Sequence, residues 1–202
     1  MRFFSSYIWR FSTKKKEIFL TFDDGPTPKV TTFVLEELKK YEAKATFFCI
    51  GKNIQHHPSL FRKIITEGHT IGNHTQNHAN GWQSNTANYI DNVLRCEETI
   101  QQFNQKPTKE KLFRPPYGKI KNKQAKQLIK KGYKIIMWSV LSADFDTTIT
   151  KENCLKNVVQ NTENGSILVF HDSDKAFKKL CFVLPKILKE FAEKGFTFKA
   201  IE

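Results

Sequence analysis

The chain is predicted to fold as a small β/α barrel, and three features of the sequence point there. Short apolar runs suited to strands alternate with stretches whose apolar residues recur at helical spacing, the pattern of a parallel sheet covered by helices. Seven such strand-like runs can be counted, near the eight of a full barrel. The chemically notable polar residues fall at the C-terminal ends of those runs, where barrels and open α/β sheets both place their chemistry. An open doubly wound sheet is the alternative arrangement of the same elements.

The elements follow in order. Glu17-Ile18-Phe19-Leu20-Thr21-Phe22 is the first strand, stopped by Gly25-Pro26. Val30, Phe33, Val34, Leu38 and Tyr41 stripe the first helix. Ala45–Ile50 is a second buried strand ended by Gly51, and Pro58 opens a helix carrying Leu60, Phe61, Ile64 and Ile65. His69–His74 makes a third strand, followed by a polar loop over 75–85. Tyr89, Val93, Cys96, Ile100 and Phe103 mark a longer helix, and Lys111–Arg114 a short fourth strand. Ala125, Leu128 and Ile129 face one side of the next helix, before a fifth strand over Lys134–Val140. Thr150 is placed as the N-cap of a helix with Cys154, Leu155, Val158 and Val159. Ser166–His171 is the sixth strand. Leu180, Val183, Leu184, Ile187, Leu188 and Phe191 stripe the last helix, and Phe196–Ile201 is the seventh strand.

At 202 residues there is chain enough for one domain with a substantial core, to which 18 Phe contribute bulk. Residues 1–16 read as a packed N-terminal extension on a single domain spanning 17–202. The opening Met1–Arg10 is basic and aromatic but lacks the ~7–15-residue apolar core and cleavage site of a signal peptide. No run nears the ~18 apolar residues of a membrane span, so no transmembrane segment is expected. Cys49, Cys96, Cys154 and Cys181 show no C-x-x-C spacing, and the first three sit among apolar neighbours as reduced, buried residues. The absence of signal and disulfide pattern points to the cytoplasm. The net charge of +13 would attract anionic glycans, phospholipid surfaces or nucleic acid. The lysines read as scattered, however, and no nucleic-acid-binding motif accompanies them, so a solvated basic surface is expected and nucleic acid is not a partner.

Four stretches carry chemistry. Asp23-Asp24-Gly25 ends the first strand with two carboxylates that repel unless a cation or shared proton relieves them; alone, it also reads as a solvated turn. His74-Thr75-Gln76-Asn77-His78 has the i, i+4 spacing that puts two imidazoles on one side of a helical turn. Such a pair is also common as hydrogen-bonded loop histidines, but an Asp pair at the same mouth favours a His-His-Asp metal site with coordination left open. Arg114-Pro115-Pro116-Tyr117-Gly118 sets a permanent cation in stiff backbone, and Tyr117 has the first amide N–H after two prolines, a candidate oxyanion donor. The prolines alone would equally make a rigid turn. Asp144 follows the fifth strand and His171 ends the sixth.

Together, T-F-D-D-G-P at Thr21–Pro26, H-T-x-x-H at His74–His78, R-P-P-Y-G at Arg114–Gly118 and L-x-F-H at Leu168–His171 resemble the polysaccharide deacetylases, the NodB-homology domain of carbohydrate esterase family 4. The resemblance runs from about Glu17 to the C-terminus. It implies a distorted seven-stranded (β/α) barrel, TIM-barrel-like, holding zinc or another divalent ion such as cobalt through Asp24, His74 and His78. It implies an N-acetylated glycan as substrate, with Asp23 as base toward the attacking water. Tyr117 would support the oxyanion, and His171 would protonate the departing amine. Asp144 is the carboxylate expected to raise the pKa of His171. Pro116, Tyr117 and Leu168 would line the substrate site, Leu168 with Phe170 around the acetyl methyl, while Trp82 either stacks on a sugar or packs inside. The family works on envelope polymers, so an envelope-associated location stands beside the cytoplasm, with a monomer expected. Leu141 and Phe145 depart from the family's D-x-x-D-Trp/Tyr pattern, and the alternatives they raise are a different amide or an acetyl ester, or a non-catalytic glycan-binding module.

Overall fold

A computed structural model describes residues 7–104 and 110–202. Its strands are β1 (Tyr7–Ile8), β2 (Glu17–Asp23), β3 (Ala45–Cys49), β4 (Thr70–Asn73), β5 (Lys111–Phe113), β6 (Tyr133–Ile136), β7 (Val140–Leu141), β8 (Ile167–His171) and β9 (Thr197–Phe198). The helices are α1 (Pro28–Lys39), α2 (Gly51–His56), α3 (Pro58–Thr66), α4 (Thr86–Phe103), α5 (Asn122–Lys130), α6 (Lys151–Asn161) and α7 (Asp174–Glu193). Eight strands pair in parallel in the order β1-β6-β5-β4-β3-β2-β8-β7, and β9 pairs with β2. This is the expected β/α barrel, with its wall distorted at one seam.

The seam explains where the sequence expectation and the structure part. The single strand expected over Lys134–Val140 is two strands far apart in the sheet: β7 forms one end, and β6 lies next to β1 at the other. β6 pairs with β5, and β7 pairs with β8. Between them, the carbonyls of Ile136 and Met137 accept hydrogen bonds from the Arg114 side chain at 3.2 and 2.8 Å, which diverts them from a neighbouring strand. The N-terminal segment fills part of this gap. Met137 N donates to Ile8 O at 2.7 Å, and Phe11 N to Gly165 O at 2.9 Å, so residues expected as an extension contribute a strand to the wall. Residues 1–6 of that expected extension lie outside the described residues.

Elsewhere the pairing follows burial. Every residue of β3 is buried, as expected of a strand covered on both faces. Phe47 and Cys49 pack with α1 and α7 residues such as Val34 and Leu184, whereas Phe48 packs on the other side with Leu112, Ile136 and Ile167; this is the period of two that defines outside and inside. Thr150 caps α6 through Asn153 N at 3.1 Å, and Asn85 caps α4 through Asn88 N at 2.9 Å. The short helix α2, begun at the Gly51 expected only to end a strand, packs close on α4 and on the loop after β4: a Cβ at Gly51 would stand 3.2 Å from Cys96 Cα of α4 and 1.9 Å from Gln76 Oε1 of the loop.

Candidate active site

The site is built from the C-terminal ends of β2, β4, β5 and β8. Asp23 is the last residue of β2 and is nearly fully buried. Asp24 turns the backbone into the left-handed region, φ 83°, which Asp tolerates better than most residues. The two neighbouring carboxylates therefore separate. Asp23 Oδ1 meets Arg114 Nη1 at 2.8 Å, and Asp24 Oδ1 faces the two imidazoles. The turn is held from behind by Asp172, a fully buried carboxylate that accepts from Gly25 N at 3.0 Å and from the Thr31 hydroxyl of α1. A Cβ at Gly25 would lie 2.0 Å from Asp172 Oδ2, so glycine is required there by close approach.

His74 and His78 are brought together, though not by a helical turn. Thr75 and His78 have φ of 67° and 54°, and the loop is fixed by Asn73 Oδ1 accepting from Thr75 N and Thr75 Oγ1 accepting from Ala79 N, at 2.9 and 2.8 Å. His74 Nδ1–H donates to the Arg114 carbonyl at 2.8 Å, which leaves Nε2 as a lone pair. Nε2 of His74 and of His78 lie 3.7 and 3.1 Å from Asp24 Oδ1. One ligand atom from each of the three residues falls within 4.8 Å of the others.

These residues fit a divalent cation. Asp24 Oδ1 is buried and has no hydrogen-bond partner, an arrangement that is destabilising unless a cation compensates it. Burial pushes the His74 pKa down to about 4 against the pull of Asp23 and Asp24. Burial would raise Asp24, but the His78 contact and the nearby charges of His74 and His171 bring it to about 2. A neutral imidazole and an ionised carboxylate are the forms a metal needs, and two nitrogens with one carboxylate oxygen suit zinc or a related ion.

On the opposite wall His171 Nδ1–H donates to Asp144 Oδ1 at 2.8 Å, and its backbone N–H to Oδ2 at 2.8 Å. Burial alone would lower the His171 pKa. The charge and hydrogen bond of the fully buried Asp144 outweigh it, helped by Asp23 and Asp24, and the imidazole is raised to about 9. It is therefore charged at neutral pH and can give up a proton. Because a raised histidine is the acid below its folded pKa and loses the proton as pH rises through it, the alkaline limb of kcat should lie near pH 9. Asp144→Asn should move that limb to lower pH by at least about one unit, read from the kcat–pH profile.

Arg114 is wholly buried. Besides Asp23 it donates to Thr21 Oγ1 at 2.6 Å and lies with its guanidinium carbon 4.2 Å from the Phe48 ring centroid. Tyr117, at φ 61°, packs its ring 4.5 Å from His78 and borders a cavity of about 380 Å³. Asp23, Asp24, both histidines and His171 open into that cavity. Its remaining wall includes Pro115, Trp138, Leu141, Phe145, Val169 and Lys175.

Two expectations about substrate contacts change, and of the two readings of Trp82, packing inside is excluded. Leu168 and Phe170 are fully buried in the helix-side core, because β8 alternates and the end residue His171 faces the mouth; Val169, on the same side as His171, lines the cavity instead. Pro116 is buried and Pro115 takes its place on the wall. Trp82 is exposed outside the cavity, with the Lys119 ammonium 5.4 Å from its ring. Sequence reasoning also missed Asp172, Thr21, Trp138 and Lys175. For Asp172 the available signal was its position directly after a strand-ending histidine.

An aspartate–arginine pair, a His-His-Asp cluster and a charged histidine–aspartate pair crowd one barrel mouth, a set of groups suited to hydrolysis. The sequence comparisons are specific about which kind. The family model described as "Polysaccharide deacetylase" matches residues 11–136. A peptidoglycan-N-acetylglucosamine deacetylase of Bacillus cereus is 34% identical over 194 residues, covering 96% of this chain and 90% of its own. A chitooligosaccharide deacetylase of Azorhizobium caulinodans is 34% identical over 168 residues, 81% of this chain and 77% of its own. A solved peptidoglycan N-acetylglucosamine deacetylase superposes with a TM-score of 0.90 at 31% identity, covering 97% of this chain and 91% of that one. The chain belongs to the polysaccharide deacetylase family, the NodB-homology enzymes of carbohydrate esterase family 4. It is a polysaccharide deacetylase, a hydrolase of the N-acetyl groups of glycan amino sugars.

Proposed function

We propose that the enzyme removes acetate from N-acetylglucosamine units of peptidoglycan, using zinc or cobalt held by Asp24, His74 and His78. One observation carries the reading: a buried, unpartnered Asp24 oxygen faces two imidazole nitrogens in the same cavity as a carboxylate and a charged histidine. The bound ion would supply Lewis acidity, making water a usable nucleophile near neutral pH and drawing charge from the acetamide carbonyl. Asp23, fixed by Arg114, takes the proton from the attacking water. The Tyr117 amide supplies a donor for the oxygen that gains charge. His171, held by Asp144 through Nδ1, gives its Nε2 proton to the amine as the C–N bond breaks. Val169, Leu141 and Phe145 enclose the acetyl methyl. The peptidoglycan substrate is supported by the relatives named for it at 34% and 31% identity over nearly the whole chain; acting on a wall polymer also supports an envelope-associated location. We take residues 17–202 as one catalytic domain working as a monomer, with β1 of the preceding segment completing its wall. No helix among the described residues is long and apolar enough to cross a membrane.

Acetate release from N-acetylglucosamine oligomers and from peptidoglycan fragments tests this. Chelator-stripped enzyme should lose at least about 100-fold in rate on both and regain it with zinc or cobalt. His78→Ala should not regain it at the same metal concentration. Undiminished turnover by the stripped protein would refute the metal assignment.

A further inference from the structure

The positive charge of this protein is not spread evenly. Residues 111–143 contain eight Lys and Arg114 but no Asp or Glu, so this segment holds nine of the 13 excess charges. The remaining chain, with 24 cationic and 20 acidic side chains, is close to balance. Arg114 is buried at the active site. The lysines surround α5: Lys119 and Lys121 precede it, Lys123, Lys126 and Lys130 lie on it, and Lys131 and Lys134 follow.

Spacing and burial place three of them on one flank. Positions 123, 126 and 130 share a helix face and are exposed, while Gln124, Ala125 and Leu128 are buried on the other side. From Lys123 to Lys130 the row covers ~10 Å. Lys134 pairs with Glu110 at 2.9 Å. Lys121 donates to the Ser84 carbonyl, and Lys119 lies over Trp82, contacts that orient the ammonium without neutralising it. Lys123, Lys126, Lys130 and Lys131 have no ion pair among the described residues. Such crowding of like charge is self-repulsive, and a polyanion laid along it would relieve the repulsion and release counterions.

The row begins at the catalytic mouth. Gly118 lines the cavity, Lys119 follows it directly, and Lys175, likewise without an ion pair among the described residues, stands on the cavity wall at the start of α7. We propose that the α5 flank docks the carboxylate-bearing part of a glycan strand whose N-acetyl unit occupies the cavity; this rests on the peptidoglycan reading above. A strand leaving the mouth past Gly118 meets the lysines next. Nucleic acid fits less well, because α5 itself carries no aromatic residue and the exposed Trp82 ring beside the row already has the Lys119 ammonium 5.4 Å from its centroid. A lipid surface also fits less well, since Ala125 and Leu128 are turned into the protein and only Ile129 of the apolar α5 residues is exposed.

The test is a triple variant, Lys123→Gln with Lys126→Gln and Lys130→Gln, whose exposed positions leave the core intact, as thermal unfolding would verify. Co-sedimentation with insoluble peptidoglycan at low ionic strength should weaken by about tenfold, consistent with three exposed charge contacts, and its salt dependence should flatten. Acetate release from neutral N-acetylglucosamine oligomers should be unchanged. Wild-type-like sedimentation of the variant would overturn the proposal. It would also fall if duplex DNA or phosphatidylglycerol vesicles lost affinity for the variant while peptidoglycan did not. Absence of acetate release by the wild-type enzyme from every glycan would instead defeat the catalytic reading, which sedimentation does not measure.

Discussion

Asp23→Asn is expected to lower acetate release by roughly 10²–10⁴-fold, the range of a lost general base, while metal binding persists. The change is nearly isosteric, and the amide can still accept from Arg114 Nη1, which now stands 2.8 Å from Asp23 Oδ1. The three proposed ligands are untouched, because the left-handed turn at Asp24 sends the neighbouring side chain elsewhere. The variant should bind zinc stoichiometrically with kcat depressed far more than KM is altered. That pattern marks a group acting on the reacting proton rather than on substrate affinity. An Asn variant with near-normal kcat would show that another residue takes the proton. His171 could not replace it as base at neutral pH, since Asp144 holds the imidazole protonated, its pKa raised to about 9.

The electrostatics of the mouth divide this labour. Asp23 and Asp144 each sit against one cationic partner, Arg114 and His171, at 2.8 Å, whereas Asp24 faces histidines of which His74 is driven neutral by burial, to about 4. Two carboxylates thus have counter-charges built into the fold, and the third depends on an added ion. The same distinction separates the proposed base, the acid's partner and the metal ligand. It arises from where each strand ends, not from residue type.

Much of this was legible in the sequence because its signals were local. β3 and β8 read as strands since covering on both faces leaves unbroken apolar runs. The barrel followed from strand–helix alternation, and the comparisons bear out both the fold and the family. The same unbroken runs hid side-chain direction. In Ile167–Phe170 every residue is apolar, so nothing in the composition separates Leu168, in the helix-side core, from Val169 at the mouth. The break between β6 and β7 was invisible for a different reason. It depends on hydrogen bonds from Arg114, more than twenty positions away. β1 is two residues long, too short for a periodic pattern, and owes its place to β6 across most of the chain. Asp172 offered only a lone carboxylate, and its importance appears when Gly25 and Thr31 close around it.

Arg114→Met should destabilise the fold by about 3–5 kcal/mol, the usual result of stripping one partner from a buried ion pair. For a chain of this size that is a fall in Tm of about 6–20 °C. The guanidinium is wholly buried, and burial lowers its pKa against the pull of Asp23. Its loss leaves the nearly buried Asp23 without a counter-charge and the carbonyls of Ile136 and Met137 without their side-chain donor. Those carbonyls sit where β6 ends at the seam, so a structural and a catalytic element fail together. The double variant with Asp23→Asn separates the two contributions. With no buried charge remaining, the pair should be less destabilised than the sum of the single changes, by at least about 1 kcal/mol of coupling. What destabilisation remains is the share of the seam carbonyls. Arg114→Lys keeps a charge near Asp23 but lacks the fork that reaches both Ile136 and Met137, so it should recover only the first share. Thermal unfolding of the wild type and the four variants measures this. Strict additivity of Asp23→Asn and Arg114→Met would mean that Arg114 serves the barrel seam alone.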